Sequence, residues 1–222
     1  MTISRRLLLP TAFPMRVRRF RTGWLRIFSR ALVVTFISWL AAGAVTAGPL
    51  HDAAREGDAA KVGELLAQGE DVNSRDESRE TALIDAALAG KVEVATVLIE
   101  AKADVDARND RGFSALHAAA YSGSLEIAEL LLDHGAAVDS LSTHKITPLH
   151  VAAEENQVAV ADLLIARGAQ VEAIQEYGFT PLSRATFFQS AQVMVLLKQR
   201  GAKCQPKAKL GAALKDCMAA GN

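Results

Sequence analysis

"ITPLHVAAEENQVAVADLLIARGAQVE", residues 146–172, uses alanine and leucine freely in a chain that has only two tryptophans, two tyrosines and two cysteines. Thirty-three residues upstream stands "FSALHAAAYSGSLEIAELLLDHGAAVD" (113–139), and thirty-three further "ETALIDAALAGKVEVATVLIEAKADVD" (80–106). A period of this length marks stacked supersecondary units rather than one globular core. With Leu50, Leu83, Leu116, Leu149 and Leu182 in one column, the spacing is 33 four times without an insertion.

Other columns then align. Gly57, Gly90, Gly123, Asn156 and Gln189 lie seven residues on, and Leu65, Leu98, Leu131, Leu164 and Leu197 lie fifteen on. Gly69, Lys102, Gly135, Gly168 and Gly201 follow, then Val72, Val105, Val138, Val171 and Cys204. Thr147-Pro148 and Thr180-Pro181 read as an N-cap hydroxyl followed by proline at the first helical position, where the missing N–H costs nothing. Paired alanines such as Ala53-Ala54 and Ala152-Ala153 let a short helix lie close to its neighbours. Glycine or asparagine at the seventh place suits a tight turn with positive φ. "AELLLDHG" (128–135) is a second apolar-striped helix that Gly135 stops. The unit is helix, turn, helix, extended finger.

"TPLHVAA", "SALHAAA" and "LLLDHGAAVD" resemble the motif of the ankyrin-repeat family, in register over about 49–204. The resemblance implies an all-α solenoid of five helix-turn-helix repeats with short hairpin fingers, at 48–75, 76–108, 109–141, 142–174 and 175–204. A C-terminal capping helix is expected at 205–222. One unit cannot bury its own apolar face, so stacking supplies the core. Repeat two departs at Lys102, where glycine is expected, and at Ile84, in a column that holds His51, His117 and His150. Repeat five has Ser183 and Thr186 in place of His and Ala. Its Lys198, where the other repeats have Leu or Ile, suggests an outer helix partly facing water.

Charge is distributed unevenly. The totals balance at 25 basic and 25 acidic, yet residues 1–47 hold eight arginines and no acid, which leaves 17 basic and 25 acidic residues for 48–222. Residues 1–47 read as an export signal: a basic region 1–30, an apolar region 31–45 ("ALVVTFISWLAAGAV"), and Val45 and Ala47 at a cleavage site before Gly48. "SRRLLL" at 4–9 resembles a twin-arginine signal, though Pro10, Pro14 and further arginines precede its apolar region. Met15 is an alternative start to Met1. The expected location is the periplasm; the alternative is an uncleaved inner-membrane anchor with the body outside.

Catalytic signatures are missing from the sequence, and no cofactor or metal site is expected. The histidine column places its members one repeat apart rather than in one pocket, and the resemblance implies that they bond neighbouring backbone. His134 is expected to face solvent, and His144 sits at a finger tip. "DVDARND" (104–110) departs from a calcium loop at Arg108 and lacks the sixth-place glycine, so it reads as a solvated hairpin. The acidic body argues against nucleic acid, which needs clustered cations. What remains is a surface for a protein partner on a monomeric module; a chaperone or inhibitor of one particular enzyme is the alternative role.

In the ankyrin-repeat family, partners contact finger tips and the exposed face of the first helices. Carried over, those places are polar at Arg55, Glu56, Glu77, Ser78 and Glu80. They become apolar at Tyr121, Leu141, Ile146, Ile174, Tyr177, Phe187 and Phe188, while Phe113 and Phe179 are expected to pack against neighbouring fingers. Finally, Cys204 stands in the inward valine column. Leu210, Ala213, Leu214, Cys217 and Met218 recur at the spacing of one helical face. A Cys204–Cys217 disulfide is expected in an oxidising compartment.

Overall fold

The computed structural model describes residues 48–206, 210 and 214–219. The leader read at 1–47 lies outside the described residues, as does part of the expected cap.

Five helix pairs follow one another. They are α1 (Pro49–Glu56) with α2 (Ala59–Ala67), α3 (Ala82–Leu88) with α4 (Val92–Glu100), and α5 (Ala115–Ser122) with α6 (Leu125–Asp133). Next come α7 (Pro148–Glu154) with α8 (Val158–Ala166), and α9 (Pro181–Phe188) with α10 (Ala191–Gln199), before the short α11 (Leu214–Ala219). First helices pack on first helices and second on second along the series, and α11 packs against α9. Among the described residues the only strand-like pairing is a single bridge between Arg108 and Ser114. No helix among them is long and apolar enough to cross a membrane.

The left-handed backbone region recurs in three columns. The seventh-place column has it throughout, at Gly57, Gly90, Gly123, Asn156 and Gln189, and so does the helix-stop column, including Lys102. A third column lies at the finger tips: Arg79, Gly112, Lys145 and Gly178. At Gly112 space also matters, because a Cβ would come within 2.8 Å of the Thr143 nitrogen in the next finger. At the helix stops the N–H one residue beyond reaches back to the carbonyl of the Leu65 column. Ala103 to Leu98 and Ala136 to Leu131 are both 3.0 Å, and Ala202 to Leu197 is 2.9 Å. These bonds satisfy carbonyls the helix end would otherwise leave unpaired.

Thr81, Thr147 and Thr180 cap their helices, their hydroxyls accepting from Ile84, His150 and Ser183 nitrogens. The core is the stacked columns themselves. Leu83, Leu98, Leu116, Leu131, Leu149, Leu164, Leu182 and Leu197 are all fully buried, with the paired alanines between them. Burying each leucine is worth about 2–3 kcal/mol.

Consecutive units are also joined by hydrogen bonds. Asn73 accepts from the Asp104 nitrogen at 2.8 Å, Asp106 from Ala137 at 2.9 Å, Asp139 from Gln170 at 3.2 Å and Glu172 from Lys203 at 2.7 Å. Asp106, within the stretch read as a solvated hairpin, thus ties one unit to the next. Finger tips bond in series: Asp110 N–H to the Ser78 carbonyl, Thr143 to Arg111, and Glu176 to His144.

Lys198 is half-buried on a helix that partly faces water, as expected, and its ammonium also donates to the carbonyls of Cys217 (3.2 Å) and Met218 (3.4 Å) at the end of α11. Cys204 and Cys217 stand at disulfide distance, their Cα atoms 6.0 Å apart. Leu210 and Cys217 are buried, but Met218 is 60 % exposed. Met218 therefore departs from the expected apolar face: with Cys217 held inward, the next residue lies about 100° further round the helix. The side chains of Ala213 and Leu214 lie outside the described residues.

Lys102 (φ 68°) is the one helix-stop residue carrying a Cβ. At the equivalent Gly69, Gly135, Gly168 and Gly201 a Cβ would meet nothing within 4 Å, so the cost at Lys102 is conformational rather than steric crowding. Lys102→Gly is expected to raise stability by about 1 kcal/mol and Gly135→Lys to lower it by a similar amount, both read from denaturant midpoints. An unchanged midpoint for Lys102→Gly would refute the strain assignment.

Candidate partner-binding surface

The histidine column is the first place to look for chemistry, and its geometry is structural. The Nε2–H of His117 donates to the Ile146 carbonyl (3.0 Å), and its Nδ1 accepts from the Ser114 N–H (3.2 Å). His150 repeats this with the Phe179 carbonyl (3.0 Å) and the Thr147 N–H (3.2 Å). Each ring joins its own helix start to the next finger. Both ring nitrogens are committed in the neutral tautomer, and burial pushes both histidines down to about 4.

His51 does not follow the expected pattern. The N-cap column holds Gly48 here, so no hydroxyl is available, and the His51 Nδ1–H turns to the Asp85 carboxylate at 2.7 Å. Arg55 braces the same carboxylate (2.9 Å) and reaches Asp76 (3.2 Å). Burial alone would lower the pKa of His51, but the Asp85 hydrogen bond and charge outweigh it, and the net shift is upward. The His51 Nε2 is buried without a partner. Among the described residues no group of three or more His, Cys, Asp or Glu is placed to hold a metal.

The first helices present a column of Arg55, Leu88, Tyr121, Glu154 and Phe187 beside the fingers, and its character changes along the series. Arg55 is held by Asp76 and Asp85. Glu154 pairs with Arg184, whose guanidinium lies 5.4 Å from the centre of the Phe188 ring. Phe188 is therefore half-buried rather than presented. Tyr121 and Ile146 are half-buried against the core, and Ile146 also supplies the carbonyl that His117 grips.

The other expected contact residues stand in solvent. Leu141 is 45 % exposed, Ile174 62 %, Tyr177 61 % and Phe187 47 %. Phe187 meets Phe179 edge-on at 5.3 Å between ring centres, and Tyr177 lies 5.8 Å from the His144 ring, which also bonds Glu176. Phe113 is half-buried against the core with its ring edge-on to His117. His134 is exposed and bonds the Leu130 carbonyl. Sequence reasoning passed over Leu88, which is exposed; its signal was the column it shares with Tyr121 and Phe187.

A stack of helix pairs with exposed apolar residues on its fingers and first helices defines a helical-repeat solenoid. A family model described as ankyrin repeats (3 copies) matches residues 50–142 and 138–208. The chain belongs to the ankyrin-repeat family, whose members are generally protein–protein interaction modules. No curated protein matches it.

The histidines generate a pH prediction. In the unfolded chain they titrate near the ordinary 6.5, and in the fold His117 and His150 do so at about 4. The unfolded state therefore binds more protons between these values, so stability is full above pH 6.5 and falls toward pH 4, by up to about 3 kcal/mol for each. His51, shifted upward, contributes in the opposite sense. Melting temperature measured across this window should fall with pH, and His117→Gln/His150→Gln should flatten that slope. An equally steep slope in the double variant would show that other groups carry it.

Proposed function

We propose that this protein is a non-enzymatic binding module, exported to the periplasm, that holds a protein partner through its finger tips and the adjoining face of its first helices. The observation that carries the reading is the exposure of Leu141, Ile174, Tyr177 and Phe187 together on neighbouring units. Exposed apolar strips with a charged rim mark interaction sites, and aromatic anchors concentrate interface energy. The basic and apolar zones of residues 1–47 support export, and the Cys204–Cys217 pair suits an oxidising compartment.

Two experiments test this. The periplasmic fraction should contain a species whose intact mass begins at Gly48 and whose cysteines resist alkylation until reduced. A species retaining the leader would favour the anchored alternative, and two free thiols would remove the bridge. A photo-crosslinking residue at Ile174 should capture a partner in cells, whereas one at Glu129, exposed on the second-helix side, should not. Tyr177→Ala/Phe187→Ala should then weaken that capture, at about 2 kcal/mol or more for a central anchor. Undiminished capture by this double variant would move the site elsewhere.

A further inference from the structure

The apolar strip is only half of a longer row. One finger column reads Arg75, Arg108, Leu141, Ile174, and a neighbouring one reads Ser78, Arg111, His144, Tyr177. The first column is linked by hydrogen bonds as far as Leu141. Arg75 Nη1 donates to the Arg108 carbonyl at 2.6 Å, and Arg108 Nη1 donates to the Leu141 carbonyl at 3.0 Å. Each arginine thus lies along the fingers, held by the next one. Leu141 and Ile174 continue the row with side chains that can make no such bond and stand in water instead.

Charge follows the same gradient. Arg75, Arg79, Arg108, Arg111 and Lys145 are exposed on the first three fingers, on a body in which acids outnumber bases 25 to 17 over 48–222. At the same finger tips, 75–80, 108–113 and 141–146, the exposed acids are Glu77 and Asp110, and Asp110 is 3.7 Å from Arg79. Glu80 is half-buried and accepts from Asn109, Asp71 and Asp104 are exposed nearer the helix stops, and on the fourth finger Glu176 is engaged by His144 at 2.6 Å. Arg55 answers Asp76 of the first finger and Asp85 of α3, and Arg184 answers Glu154, while Glu56 on α1 is exposed. The finger row is therefore cationic at one end and apolar at the other.

Resting on the interaction reading above, we propose that this row binds an extended partner segment of one polarity. The segment is acidic where it crosses the fingers of Arg75 and Arg108, and it carries large apolar side chains where it crosses those of Leu141, Ile174 and Tyr177. Neighbouring units lie roughly 10 Å apart, so four fingers span about 30 Å, the length of about nine extended residues. The cationic end sets orientation and speeds encounter, and the apolar end supplies the buried anchors.

The test uses the purified protein and fluorescent peptides of about ten residues. One peptide has acidic residues followed by Leu, Trp and Phe; a second has lysines in place of the acids; a third has serines in place of the apolar residues. The first should bind at least about tenfold tighter than either of the others. Arg75→Glu/Arg108→Glu, both at exposed positions, should reverse the preference toward the lysine peptide. Leu141→Asp/Ile174→Asp should abolish discrimination against the serine peptide.

Equal binding of the acidic and lysine peptides, or of none, overturns the inference. So does tighter binding of a single-stranded oligonucleotide, or self-association of the protein that masks the row. The parent reading fails separately. If crosslinking at Ile174 captures a partner but the captured segment carries no acids, only the polarity is wrong. If nothing is captured at Ile174, the interaction surface itself is wrong.

Discussion

Helices of seven to nine residues do not persist alone in water, because each nucleation event fixes several residues for a single hydrogen bond. Every helix pair here depends on the next copy, 33 residues away, to cover its apolar stripe. The rest of the structure follows from keeping that distance constant. The left-handed residues turn the chain at equivalent places from unit to unit, and the polar ties fall between equivalent atoms. Asn73, Asp106, Asp139 and Glu172 perform one task at successive steps, as do His117 and His150.

A series of like units must change character where it ends, and the two ends do so by different chemistry. At Gly48 the capping hydroxyl is missing, and in its place His51 bonds the buried Asp85, which half-buried Arg55 braces. Toward α11 the histidine gives way to Ser183, which donates to Gln205, and Gln205 in turn reaches the Gly178 carbonyl at 2.8 Å. Lys198 and the Cys204–Cys217 pair then fasten α11. The surface is graded in the same direction, from charged to apolar, so the contacts that define the fold leave the finger tips free to vary.

The fold was legible because its determinants are periodic. Five leucines at a constant interval, the Thr-Pro starts and the glycine stops each had a position that predicted a conformation. The reading failed where identity varies along a column or where two columns interact. The left-handed finger tip alternates Arg79, Gly112, Lys145 and Gly178, so composition hid it. His51 looked like its column-mates, and only the missing hydroxyl three residues earlier explains its turn toward Asp85. Lys198 read rightly as partly facing water, but its acceptors in α11, about twenty residues on, had no equivalent in the earlier repeats to signal them. For the surface, the column assigned a place to each aromatic but not its exposure: Phe188 is covered by Arg184, whereas its neighbour Phe187 is open.

The locality of these ties has a consequence for the order of folding. The side-chain bonds between neighbouring units join residues 21 to 38 apart, such as Arg55 to Asp76, His117 to Ile146 and Arg200 to Asp162. Loop closure over so short a stretch is fast and costs little entropy. A unit can therefore settle as soon as its successor is available, without waiting for a distant partner. Cys204 and Cys217 are separated by only 13 residues and follow all five helix pairs in the chain. A bridge between them would therefore close after the helix pairs in chain order, and would not direct how they form.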